Sequence, residues 1–141
     1  MKKTIMTIIL GLLVACGPSV DQTITVETVG NQMAYDTPLI EAKPGSTIRL
    51  IFKNNATIEV MKHNIVILND PVAIDRVGEA ALTAENYIPN DPAIVAYTPI
   101  VEPGEEVSIT ITLPESVGTY PFICTYPGHY KVMQGQIIIK K

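Results

Sequence analysis

The sequence predicts an all-β fold: a two-sheet sandwich of about seven or eight short strands, with one helix inserted between two of them. Three observations lead there. Several segments alternate apolar and polar residues with period two, as half-buried strands do. Clusters of Pro, Gly, Asn and Ser punctuate them at regular intervals. A single stretch, residues 70–86, carries its apolar residues at helical spacing instead. The chain has 141 residues, 47% of them apolar and 17% charged, enough for one packed domain and too apolar to be disordered.

Taken in order, residues 23–29 alternate Thr, Ile, Thr, Val, Glu, Thr and Val, and Gly30-Asn31 ends the run. Residues 33–35 are a short strand candidate. Lys43-Pro44-Gly45-Ser46 supplies a turn before residues 47–53, where Ile48, Leu50 and Phe52 share one face. Asn54-Asn55 breaks that strand. Residues 63–68 are rich in β-branched side chains. Then comes the exception: Asp70 caps, Pro71 suits a first helical turn, and Ala73, Ile74, Val77, Ala80 and Ala81 recur on one side. Pro89 and Pro92 stop it. Strands are expected again at 94–99, 107–113, 119–124 and 136–140, separated by Glu102-Pro103-Gly104-Glu105 and Pro114-Glu115-Ser116. No internal repeat or low-complexity segment is present.

The amino terminus is not part of this pattern. Lys2 and Lys3 precede a short apolar run that closes with Leu13-Val14-Ala15-Cys16. This is a secretory signal, too short to span a bilayer permanently. Its end resembles the lipobox of bacterial lipoproteins, which implies cleavage before Cys16 and acylation of that residue. Two or more acyl chains hold a protein stably at a membrane. The expected organisation is a signal peptide over residues 1–15, a lipidated tether over 16–21 and one domain over 22–141. Without Lys2 and Lys3, eight basic residues face fourteen acidic ones. No basic patch is visible, so nucleic acid is not an expected partner. An acidic surface either steers towards a basic partner or serves solubility alone.

With Cys16 taken by lipid, Cys124 has no cysteine to pair with. An unpaired cysteine in an exported protein is either buried and inert or does chemistry. It opens the run Cys124-Thr-Tyr-Pro-Gly-His129-Tyr-Lys-Val-Met133, lying between two expected strands. The only other histidine, His63, begins a strand upstream. Each of these residues alone has a plain explanation: a buried small hydrophobe, a solvated loop residue, core filler, a strand end. Together, a thiolate, two imidazoles and a thioether form the donor set of a blue-copper site. Zinc also accepts Cys and His, but closed structural zinc sites use four good ligands and a thioether is a poor one.

These stretches resemble the cupredoxins, and within them the azurin and auracyanin group. The resemblance rests on Cys124-Thr125-Tyr126-Pro127-Gly128-His129-Tyr130-Lys131-Val132-Met133, on Met61-Lys62-His63-Asn64, and on Gly118 to Cys124 as the penultimate strand. It covers most of residues 22–141 and implies a Greek-key sandwich with one copper ion at one end. His63, Cys124 and His129 would be the strong ligands and Met133 the axial one. Asn64 would hydrogen-bond the cysteine sulfur and tie the ligand loops together, and the Tyr126 amide would add a second bond to sulfur. His129 would be the electron port, in an apolar patch of Met61, Pro127 and Val132. Three departures stand out, one of them that Lys62 and Lys131 put positive charge near the site despite the acidic total. Azurins carry glycine before the first histidine, where this chain has Lys62, so four ligands are expected without a carbonyl as fifth contact. Azurins also carry a disulfide, which this mature chain lacks the cysteines to form.

The resulting expectation is a type 1 copper protein, cycling between Cu(I) and Cu(II), that shuttles single electrons. It would serve extracytoplasmic redox proteins such as cytochromes, from the cell envelope, periplasmic or outward-facing, with no small-molecule substrate. The alternative is a copper chaperone or store, although such proteins favour exposed, clustered Met or His. Copper enzymes such as nitrite reductases need further copper centres, and two histidines do not supply them.

Overall fold

The computed structural model describes residue 17 and residues 19–141. The signal segment and Cys16 therefore lie outside the described residues. Among those described, no helix is long and apolar enough to cross a membrane.

Eight strands are formed in the described chain: β1 (Gln22–Glu27), β2 (Leu39–Ala42), β3 (Thr47–Lys53), β4 (Val66–Leu68), β5 (Ile94–Tyr97), β6 (Glu106–Thr112), β7 (Gly118–Ile123) and β8 (Gln134–Ile139). They make a three-stranded sheet in the order β1-β3-β6 and a five-stranded sheet in the order β2-β8-β7-β4-β5. β1 runs parallel to β3 and β2 parallel to β8, while β3–β6, β7–β8, β4–β7 and β4–β5 are antiparallel. The chain crosses repeatedly between sheets, which gives the non-sequential order of a Greek-key sandwich.

The alternation read from the sequence places the core. Ile24 and Val26 of β1 and Ile48, Leu50 and Phe52 of β3 face inward. They meet Ile40, Ile67, Tyr120, Phe122, Ile137 and Ile139 of the other sheet. Burying one such large side chain contributes about 1.5–3 kcal/mol. A smaller cluster lies on the outer face of the five-stranded sheet. There Ala73 and Val77 pack with Val66, Leu68, Ala93, Ile123 and Tyr130.

The inserted segment supplies that cover. Asp70 accepts a hydrogen bond from the Val72 amide at 2.9 Å, and Pro71 opens a 3-10 turn over Pro71–Ala73. The helix α1 (Ile74–Ala81) follows. Its mid-helix Gly78 lies against the Tyr130 ring, where a Cβ would collide. The glycine costs about 0.5–1 kcal/mol in helix propensity but lets helix and ring touch.

The helical stretch expected over 70–86 is α-helix only over Ile74–Ala81, several strand ends move by one or two residues, and four differences are larger. Residues 33–35 are not a strand; only a lone bridge joins Thr28 to Tyr35. The chain turns there because the Val29 amide closes on the Ala34 carbonyl and Tyr35 dives into the core. Within 63–68 only Val66–Leu68 is strand, and His63 makes a lone bridge to Val101. β5 ends at Tyr97, where the Thr98 hydroxyl takes the Ile65 amide at 3.0 Å in place of a ladder bond. β2 was not expected at all: four residues are too short to display a period, and its pairing with β8 is made far away in sequence.

Candidate metal centre

Cys124 follows directly on β7, and its amide donates to the Met133 carbonyl at 3.1 Å, clipping the two ends of the loop together. Inside that clip the chain winds into tight turns. The His129 amide donates to the Tyr126 carbonyl at 3.0 Å, and the Val132 and Met133 amides both donate to the His129 carbonyl, at 3.0 and 2.8 Å. Gly128, at φ 84°, takes the left-handed conformation that a Pro-Gly turn demands. The loop is thus shaped by its own backbone before any metal is considered.

His63 lies on the segment that leads into β4, the strand paired with β7 in the same sheet. Its main chain exchanges two bonds with Val101, the Val101 amide to the His63 carbonyl at 2.8 Å and the His63 amide to the Val101 carbonyl at 3.3 Å. Asn54 braces the approach: its side-chain amide donates to the carbonyls of Met61 at 2.8 Å and Val101 at 2.9 Å.

The two segments bring three donors together. His63 Nδ1 lies 3.8 Å from Cys124 Sγ, His129 Nδ1 lies 3.6 Å from it, and the two Nδ1 atoms are 3.1 Å apart. Three atoms so spaced fall on a circle of radius about 2.0 Å. That radius is close to common metal–nitrogen distances of about 2.0–2.1 Å. All three residues are buried, His63 and Cys124 fully and His129 with 6% exposed. His63 Nε2 is buried without a hydrogen-bond partner among the described residues. A triangle of electron-pair donors in a dry site is costly unless a cation sits among them. A soft thiolate with two imidazoles suits copper. Met133 is also fully buried, at the end of the same loop.

Burial sets the protonation states. Loss of solvent, helped by the facing His129, lowers His63 to about 4. Burial likewise lowers His129. Both imidazoles are therefore neutral at pH 7, as ligands must be. Burial pushes the Cys124 thiol up to about 12, against backbone hydrogen bonds from Asn64 and Tyr126 that favour the thiolate. Metal binding must therefore displace the thiol proton.

The residues around the donors are knitted to one another. Asn64 joins the two segments: its side-chain carbonyl accepts the Thr125 amide at 2.8 Å, and its side-chain amide donates to Thr125 Oγ1 at 2.8 Å. The Tyr126 ring stands edge-on to His129 at 5.2 Å and to Tyr87 at 5.4 Å. Of the residues expected near an electron port, Met61 is half-buried, Pro127 exposed and Val132 62% exposed. Lys62 is an ion-pair partner of Glu102 at 2.9 Å, and Lys131 lies over the Tyr130 ring, so neither cation is unaccompanied.

Sequence reasoning did not single out Tyr35, Asn54, Thr98 or Thr125. Asn54 looked like a strand breaker, and a polar residue's burial is invisible until the fold is closed. Only the place of Thr125 beside Cys124 was a signal.

Residues 22–140 match the copper binding proteins of the plastocyanin/azurin family. The chain is 35% identical over 122 residues to auracyanin-A of Chloroflexus aurantiacus, covering 83% of this chain and 74% of that one. It is 35% identical over 127 residues to an azurin of Pseudomonas fluorescens biotype C, covering 83% and 97%. The solved structure of auracyanin A, described as a "blue" copper protein, superposes with a TM-score of 0.78 at 34% identity, covering 84% of this chain and 98% of that one. The buried His63–Cys124–His129 triangle, the two-sheet fold and these likenesses agree, and the chain belongs to the plastocyanin/azurin family of copper-binding proteins, whose cofactor is one copper ion.

Proposed function

We propose that this protein is a type 1 copper electron carrier, passing single electrons between extracytoplasmic redox proteins while Cys16 anchors it to a membrane through lipid. The observation that carries the reading is the meeting of His63 Nδ1, His129 Nδ1 and Cys124 Sγ within 3.8 Å of one another. In this reading those three residues hold the metal and the Met133 thioether is the weak fourth ligand. Bound copper supplies a one-electron couple.

The chain's own residues do the rest. The Cys124–Met133 clip and the Asn64–Thr125 pair fix the donors, so little rearranges when charge changes. The apolar core beneath Cys124 keeps water away. Backbone amides of Asn64 and Tyr126 stabilise charge on sulfur. His129 keeps 6% exposure where His63 and Cys124 keep none, so it is the port, with Met61, Pro127 and Val132 as the surface a partner touches. A small apolar contact suits docking that must also end quickly. All three donors are buried, which favours a carrier over an enzyme.

The test is direct. Adding Cu(II) to the metal-free protein should produce a strong thiolate-to-copper band towards the red, together with reversible one-electron cycling. Folded protein that stays colourless, or that passes its copper to an acceptor and does not cycle, would overturn the reading. Mass spectrometry of the mature amino terminus tests the anchor: an unmodified Cys16 removes it.

A further inference from the structure

Beneath the metal centre lies a phenol that the ligand set does not use. Tyr35 is 4% exposed, and its ring sits between Phe52 of one sheet, at 6.0 Å, and Phe122 of the other, at 5.1 Å. Its main chain is fixed by the bridge to Thr28 and by the Asp36 amide, which donates to the Glu27 carbonyl at 2.9 Å. From this rigid base the hydroxyl donates to the Asn64 carbonyl at 2.6 Å, a short bond.

Asn64 is therefore held at three points: the carbonyl by Tyr35, and the side chain by two bonds to Thr125. Its backbone amide remains to serve the Cys124 sulfur. A phenylalanine at position 35 would fill the same space between Phe52 and Phe122, so packing alone does not call for the oxygen. What the oxygen adds is a fixed Asn64.

We propose that Tyr35 is a positioning residue of the metal centre: its hydroxyl locks Asn64, and the lock sets the strength of the Asn64 amide bond to the Cys124 sulfur. This rests on the reading above that Cys124 is a copper ligand. Hydrogen bonds to a ligating sulfur draw off its charge and favour the more electron-rich, reduced state. Tyr35 thus raises the reduction potential without touching the metal.

The test is Tyr35→Phe in the copper-loaded protein. A merely structural tyrosine would lose stability alone. The proposal expects a lower reduction potential, a shifted thiolate-to-copper band, and hydrogen exchange of the Asn64 amide faster by on the order of tenfold in the Cu(I) form. A potential and band equal to wild type would overturn it. If the variant does not fold, 3-fluorotyrosine placed at position 35 keeps the ring and makes the phenol a stronger donor. A raised potential then supports the proposal, and an unchanged one defeats it. The wild-type spectrum separates the two readings, because a wild-type protein without the blue band fails the copper assignment before Tyr35 is in question.

Discussion

Strand β3 and the segment His63–Leu68 are similar in length and composition but opposite in design. Along β3, buried Ile48, Leu50 and Phe52 alternate with residues that reach towards water. From His63 to Leu68 every residue is buried. β3 has one wet face, whereas His63–Leu68 has the sandwich core on one side and the α1 cluster on the other. Such a segment must satisfy its polar groups internally. It does so through side chains: Thr98 for the Ile65 amide, Tyr35 for the Asn64 carbonyl, and Thr125 for the Asn64 side chain. Alternation marks where the chain only divides core from water; its failure marks where polar chemistry has been brought inside.

The two regions should respond differently to damage. The largest effect is expected from Cys124→Ala. It should abolish the thiolate-to-copper band entirely, while circular dichroism reports the folded sandwich, since a small apolar side chain is tolerated there. Phe52→Ala should do the reverse. It should cost about 3–5 kcal/mol in denaturant unfolding, yet leave whatever protein remains folded able to bind copper and turn blue. A Phe52→Ala protein that is stable but colourless would erase the distinction.

Acid sharpens the same contrast without mutation. In the metal-free protein the folded value of His63 is about 4, below its ordinary 6.5. Between those values the unfolded chain binds a proton that the folded chain refuses, so stability should fall as pH drops from 6.5 towards 4. The Cys124 thiol, pushed from 9.0 to about 12, acts at the other end: the unfolded chain releases its proton first, and stability should fall as pH rises from 9.0 towards 12. Thermal unfolding of the metal-free protein should therefore be highest between pH 6.5 and 9.0. His63→Ala should make the acid limb shallower, leaving the part due to His129, and keep the alkaline one.

Smaller effects belong to the surface. Met61→Glu should slow electron exchange with a redox partner severalfold and leave the visible band unaltered; unchanged exchange kinetics would remove Met61 from the contact surface. Smallest of all is Arg49→Ala on the exposed face of β3. It loses one bond to Ser108 and should shift unfolding by less than about 0.5 kcal/mol, with spectrum and potential unmoved.

Much of this was legible in order alone. The period-two runs gave β1, β3 and β6, because each borders water on one side and must alternate. Asp70-Pro71 and the spaced alanines gave the helix, because caps and helical spacing are local. The short interval from Cys124 through His129 to Met133 marked the loop, because three donors of metal-binding kind rarely fall so close without one centre to serve. Tertiary structure alone decided β2, whose partner lies nearly a hundred residues away. It also decided that His63 Nδ1 comes within 3.8 Å of Cys124 Sγ. It alone buried Tyr35 and Thr98 beside the carbonyl and amide they satisfy. The reason is the reach of the forces involved: periodicity and capping act over a few residues and are written along the chain, whereas burial and long-range pairing exist only once the two sheets close on each other.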